Sequence, residues 1–397
     1  MITINGYLHR RELRDLIRRS MYGNVRPGDG ELITRLVHYN QLFVSRYLHH
    51  FAGCLFRELH GADLRWKGIS LKGEIKDALV RRPPYRNPRI AELIRDYEDH
   101  PGRFYRETPC RTMLFFRPRD GNEDYLGSWR IKRIRRLAEK AARRIIDWIF
   151  DAIKGKADIL ADERAARLSI PREYLLSSPE EMQAEFIDAE ARFIEDLRRQ
   201  REISGTGELF INDVAGIKVV LEEGEQGRLH EALDSMGACR IMEEERHEGR
   251  YNAVNLVVRI EPSLDEVLRE PAPAGIRTVM ATRGVPPHQV DGDFADFVLS
   301  GEKAVYLEII VSNYQEMLES EIGRCMHEDR IIAQRLRQRY RGHLAKNVEY
   351  LMRYLFLFSL SIREELPDLP IKLWDRYLPD YFDGVIAELF QIPPGDF

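Results

Sequence analysis

Residues 209–221, LFINDVAGIKVVL, constrain the chain more than any other stretch. Ile217, Val219, Val220 and Leu221 form a β-branched apolar run. It lies between the small-residue step Ala215-Gly216 and the acidic loop EEGEQG, which is the pattern of a buried strand. Asp213 then stands at the mouth of a central strand. A buried carboxylate without a partner is unfavourable, so an aspartate kept there points to a metal or phosphate site. The alternative is a turn or cap aspartate, which is common before tight turns.

A second apolar run covers residues 304–311, AVYLEIIV, with one carboxylate, Glu308, in its middle. Two carboxylates on two apolar strands of one sheet can converge on one Mg²⁺, or divide metal binding and base work between them. Mg²⁺ bound with phosphate substrates takes only one or two protein carboxylates, so Asp213 and Glu308 suffice. The competing expectation is that Glu308 faces solvent on an edge strand.

The pattern between and around these runs predicts a helix over 226–236, a short strand over 238–242 and a strand over 251–260. A Pro- and Gly-rich stretch, 262–302, reads as an insertion or flap, and helices follow from about 314 to 366. Strand, helix and three further strands predict an α+β fold with a mixed sheet. Upstream, Ser177-Ser178-Pro179-Glu180-Glu181 is a helix start with a cap serine and a first-turn proline. A length of 397 residues predicts two or three domains. We divide it into a basic, mostly helical region 1–175, a catalytic-type domain 176–345 and a helical C-terminal region 346–397. In the first region, His38, His49 and His50 have no helical His-Asp companion and read as packing or surface residues.

Charge is distributed unevenly. Residues 1–150 hold 31 Lys+Arg and 18 Asp+Glu, whereas residues 151–397 hold 30 and 47. From Trp129, WRIKRIRRLAEKAARRIIDWIF reads as one amphipathic helix. Its cationic face carries Arg130, Lys132, Arg133, Arg135, Arg136, Lys140, Arg143 and Arg144. Such a face fits phosphate contact, most naturally with nucleic acid such as RNA, or pairing with the acidic second half of the chain. Few aromatics interleave, so base stacking is not expected there.

These segments resemble a known family. Asp213-Val214-Ala215-Gly216-Ile217-Lys218-Val219 is similar to the D-[LI]-x-G-[IV]-R-[VI] motif of RelA/SpoT-type alarmone synthetase domains. Arg250-Tyr251-Asn252-Ala253-Val254-Asn255 resembles their G-Y-x-S-[LI]-H motif, and Glu308-Ile309-Ile310-Val311 the start of E-[IV]-Q-[IV]-R-T. The resemblance covers roughly residues 185–345. It implies a nucleotidyltransferase-like fold, the cofactor Mg²⁺, and pyrophosphate transfer from ATP to the 3′-hydroxyl of GDP or GTP. By resemblance Asp213 and Glu308 hold the metal, Glu308 activates the acceptor hydroxyl, and Tyr251 stacks on the acceptor base. Lys218 and Asn255 take the places of the motif Arg and His, and Ala253, Ile310 and Ser312 replace its Ser, Gln and second Arg. Of the family's upstream phosphate cradle only Arg198, Arg199 and Arg201 lie nearby. Lysine lacks arginine's fork of donors, so a non-catalytic nucleotide- or RNA-binding regulator is the alternative expectation.

Four scattered cysteines, Cys54, Cys110, Cys239 and Cys325, fit a reducing cytoplasm. The N-terminal sequence has no apolar signal-peptide core, and the longest apolar run is too short to span a bilayer. No membrane partner is expected, and oligomeric state is open.

Overall fold

The computed structural model describes residues 2–119, 122–200, 209–222, 224–249 and 252–390. Nine strands are present among them: β1 (Ile2–Ile4), β2 (Arg65–Leu71), β3 (Pro109–Arg119), β4 (Asn122–Ile131), β5 (Leu209–Ile211), β6 (Ala215–Val220), β7 (Cys239–His247), β8 (Ala253–Ile260) and β9 (Val305–Ser312). Seven form one mixed sheet in the order β2-β3-β4-β6-β9-β8-β7. Only β6 and β9 pair in parallel within it, with Gly216 opposite Glu308 and Lys218 opposite Ile310. Strands β1 and β5 make a separate parallel pair that seats Ile211 just before Asp213. The fold is therefore α+β with a mixed sheet.

The two apolar runs lie side by side at the sheet's centre. In β9, Leu307, Ile309 and Val311 are buried and alternate with half-buried Glu308 and Ile310. This period-two pattern sends the apolar set to one face and Glu308 to the other. The apolar face packs against the helix Asp29–His60 in the main core, where Phe56 stacks on Phe115 of β3 with ring centroids 4.3 Å apart. On the opposite face, the helices Lys72–Arg81, Pro88–Asp99 and Tyr314–Ile322 cover β2, β3, β4 and β6 with a second apolar cluster that includes Ile75, Leu79, Leu93, Leu114, Met317 and Leu318.

The sheet is assembled across residue 175: β2, β3 and β4 precede it and β6 to β9 follow it. The amphipathic pattern beginning at Trp129 is partly strand. β4 runs to Ile131, and the helix spans Ile134–Arg167. Helical spacing from Ile134 onward extends by coincidence back to Ile131, while the pairing of Thr112 to Arg130 and of Arg130 to Gly216 holds residues 129–131 in the ladder. The stretch 262–302 is no flap. It forms three short helices anchored to the Asp29–His60 helix: Arg46 donates to the carbonyls of Val267 and Pro271, each at 2.8 Å, and Tyr39 donates to Asp293 at 2.6 Å. The expected cap at Ser178 is present: its hydroxyl accepts from Glu181 N, and the Glu181 carboxylate accepts from Ser178 N.

One glycine fixes how closely β4 approaches β6. Gly127 has φ +156, and a Cβ there would fall 2.2 Å from the Lys218 carbonyl oxygen and 2.7 Å from the Phe56 ring. Gly127→Ala should lower unfolding free energy by roughly 3 kcal/mol, since strained backbone and overpacking combine. Denaturant titration checks this, and an unchanged midpoint would contradict the β4–β6 register.

Candidate active site

Asp213 occupies the turn between β5 and β6. Asn5 fixes that turn: its N–H donates to the Ile211 carbonyl at 2.9 Å and its Nδ2 to Asn212 Oδ1 at 2.7 Å. The Asp213 carboxylate meets two ammonium groups. Lys132 Nζ lies 2.7 Å from Oδ2, and Lys140 Nζ also donates to Oδ2. Burial alone pushes the Asp213 pKa up, but the two lysines outweigh it and hold the carboxyl well below its usual range. Its other oxygen, Oδ1, is buried with no hydrogen-bond partner.

Glu308 lies beside Gly216, whose Cβ position is 4.0 Å from its Oε2. Among the described residues Glu308 has no hydrogen bond. Its pKa is raised, first by burial and then by the nearby Asp213 charge, while Lys132, Lys140 and Lys218 oppose the shift. Glu308 lies on a central strand rather than an edge, paired with Gly216 three residues after Asp213.

Lys218 points to the same face as Glu308 and donates to Glu321 at 2.9 Å. Glu321 is fully buried and also paired with Arg130. Burial raises the Glu321 pKa, but Arg130, Lys218, Lys72 and Lys76 together drive it well below the ordinary value. Burial also draws the Lys218 pKa down to about 8. The network continues through Lys76, whose Nζ donates to the Glu321 carbonyl at 2.5 Å, and Lys72, which pairs with Glu328 at 2.6 Å. His327 lies among these groups and is kept neutral by burial and by the surrounding cations. Six cations (Lys72, Lys76, Arg130, Lys132, Lys140 and Lys218) thereby face four carboxylates (Asp213, Glu308, Glu321 and Glu328) in linked clusters. A largely buried excess of positive charge is relieved by an anion such as phosphate.

Asn255 lies on β8 opposite Ile310, on the Glu308 face. Its Nδ2 lies 3.1 Å from His247 Nε2, and its Oδ1 is buried without a partner. Arg198 and Arg199 are not brought to this site: Arg199 pairs with Glu195 at 2.6 Å and Arg198 lies 3.9 Å from Asp375. Tyr251 and Arg201 fall outside the described residues.

The expected cationic face is divided. Arg130, Lys132 and Lys140 turn inward to Glu321 and Asp213. Arg136 pairs with Glu139, and Arg143 donates to the Gln334 carbonyl at 2.9 Å. Arg133, the residue preceding the helix, and Arg144 are exposed. Lys72, Lys76, Glu321, His327 and Glu328 carry no sequence signal for this site. They meet it only because the helix after β9 folds back beside Lys72–Arg81, more than 240 residues away along the chain.

The described residues contain no group of three or more His, Cys, Asp or Glu able to hold a metal. The buried Asp213 Oδ1, without a hydrogen-bond partner, is the oxygen of this site left to take a ligand such as a cation. Among the described residues no helix is long and apolar enough to cross a membrane. No family model, curated protein or solved structure matches the chain.

Proposed function

We propose that the chain is a divergent Mg²⁺-dependent pyrophosphoryl- or nucleotidyl-transferase of RelA/SpoT-like, nucleotidyltransferase-type fold, acting on the 3′-hydroxyl of a nucleotide such as GDP or GTP, or of RNA. One observation carries the reading: Asp213 and Glu308 share a site in which cations outnumber carboxylates. Glu308 is the base. It takes the proton of the acceptor hydroxyl, whose oxygen forms the new P–O bond as the bond to the leaving group breaks. Its raised pKa strengthens it as a proton acceptor, and without hydrogen bonds it is free to receive one. Asp213 Oδ1 is the metal ligand. Mg²⁺, when bound, supplies neutralisation of the charge on the transferring phosphates. Lys132, Lys140 and Lys218 bind and orient those phosphates, as point charges rather than arginine forks. Attack at the β-phosphorus of ATP releases AMP, and attack at the α-phosphorus releases pyrophosphate.

A second reading has its own support. Asp213 Oδ2 is already held by two lysines, which suits a domain that binds a nucleotide or RNA without turning it over.

The assay uses full-length protein with Mg²⁺, ATP, and GDP, GTP or bulk tRNA, with AMP and pyrophosphate followed separately. Wild type should release one of them in an acceptor-dependent way, and Asp213→Asn should lose at least about 100-fold of that rate. AMP identifies pyrophosphate transfer and pyrophosphate identifies nucleotidyl transfer. Neither product from wild type, with nucleotide binding intact, would overturn the catalytic reading in favour of the binding one.

A further inference from the structure

The face of β4 opposite Arg130 opens on a cavity of about 700 Å³. Its floor is the sheet: Trp66 and Gly68 of β2, Arg111 and Met113 of β3, and Trp129 of β4. The ladder places them on one face, since Gly68 pairs with Met113 and Met113 with Trp129. The helix Asp29–His60 forms a wall through Ser45, Arg46 and His49. Glu270 reaches the rim from the helical insertion, which Arg46 ties down through the Val267 and Pro271 carbonyls.

Two polar groups here are unsatisfied. Trp129 Nε1 and His49 Nδ1 are buried without hydrogen-bond partners. Their rings lie edge to face, 6.4 Å apart, with His49 5.9 Å from Trp66. Buried indole and imidazole nitrogens are normally paired, and both orphans belong to side chains that line this one cavity. The Trp66 side chain is 58% exposed, an unusual placement for an indole, and presents an aromatic surface for stacking. Arg111 is exposed, and its guanidinium has no ion pair or hydrogen bond among the described residues. Gly68 leaves the floor open, with nothing nearer to its Cβ position than the Met113 thioether at 3.9 Å.

A flat heterocycle to stack, nitrogens at its edge and one anionic group together describe a nucleoside monophosphate. We infer that this cavity binds one, with its base on Trp66 and against His49 and Trp129, and its phosphate on Arg111. The site is separate from the carboxylate pair: Trp129 and Arg130 are neighbours on β4 and project to opposite faces.

The test titrates full-length protein with AMP and with adenosine by isothermal calorimetry, with tryptophan fluorescence as a second readout. Wild type should bind AMP with quenching. Trp66→Ala, at an exposed position, should weaken AMP and adenosine alike, by roughly tenfold or more. Arg111→Met should weaken AMP by a similar factor and leave adenosine unchanged. Gly68→Val, which a strand accepts, should fill the floor and abolish both. Asp213→Asn and Glu308→Gln are titrated beside them to report on the other face. The inference is overturned if wild type binds no AMP at millimolar concentration, or if the three cavity variants bind normally. Loss of AMP binding only in the Asp213 or Glu308 variant also overturns it, because the ligand then belongs to the other face.

Discussion

Replacing Glu308 by glutamine should abolish transfer without harming the fold. General-base catalysis contributes about 10²- to 10⁴-fold, so Glu308→Gln should lose that much in kcat with nucleotide affinity little changed. Stability should hold or rise. The wild-type carboxylate is desolvated, has no hydrogen bond among the described residues, and is repelled by Asp213. The amide keeps its shape, removes the repulsion and costs less to bury than a charge. Activity and the thermal midpoint, measured on the same sample, separate the possibilities. Retained turnover rules Glu308 out as the base, and a large fall in the midpoint would make it a structural residue instead. Asp213 is a poorer first target, because truncating it leaves Lys132 and Lys140 facing each other without their shared carboxylate.

The largest loss of stability should come from Glu321→Leu. The wild-type carboxylate is fully buried between Arg130 and Lys218. Removing it strands both cations, and breaking a buried ion pair from one side costs about 3–5 kcal/mol. The pH dependence follows from its depressed folded-state pKa. In the unfolded chain a glutamate titrates near ~4.3, so the stabilisation is complete above that pH and is lost as pH falls toward the lower folded-state value. Denaturant unfolding of wild type and variant should differ widely at pH 7 and converge in acid. A difference below about 1 kcal/mol at pH 7 would mean that the network does not hold the sheet together.

Central strands were legible in the sequence because their apolar residues are β-branched and sharply bounded. β6 and β9 announce themselves, and each carboxylate stands out against its apolar neighbours. The strand β4, NEDYLGSWRI, has one β-branched residue, and its end runs into a true helical stripe, so Arg130 reads as helical when it is a ladder residue. The cations Lys132 and Lys140 were visible as part of a charged face. Their partner was not, because it lies more than 70 residues downstream and meets them only after β6 pairs with β4. The cavity escaped for a related reason. His49 shares a helix with His38 and His50 and looks like them; only the sheet placed beneath it leaves its nitrogen orphaned.

Strand order also governs when the protein can exist at all. β9 is the last strand to be synthesised, yet it sits between β6 and β8. Without β9, the final strand order leaves two separate sets with open edges, β2-β3-β4-β6 and the hairpin β7-β8. Each edge is a template for another chain, so a nascent or prematurely ended product needs a chaperone to shield it. The insertion of β9 closes both edges in one event and delivers Glu308 in the same stroke. Joining the two sets and completing the site therefore depend on the same strand, and no fragment lacking β9 should retain a trace of activity.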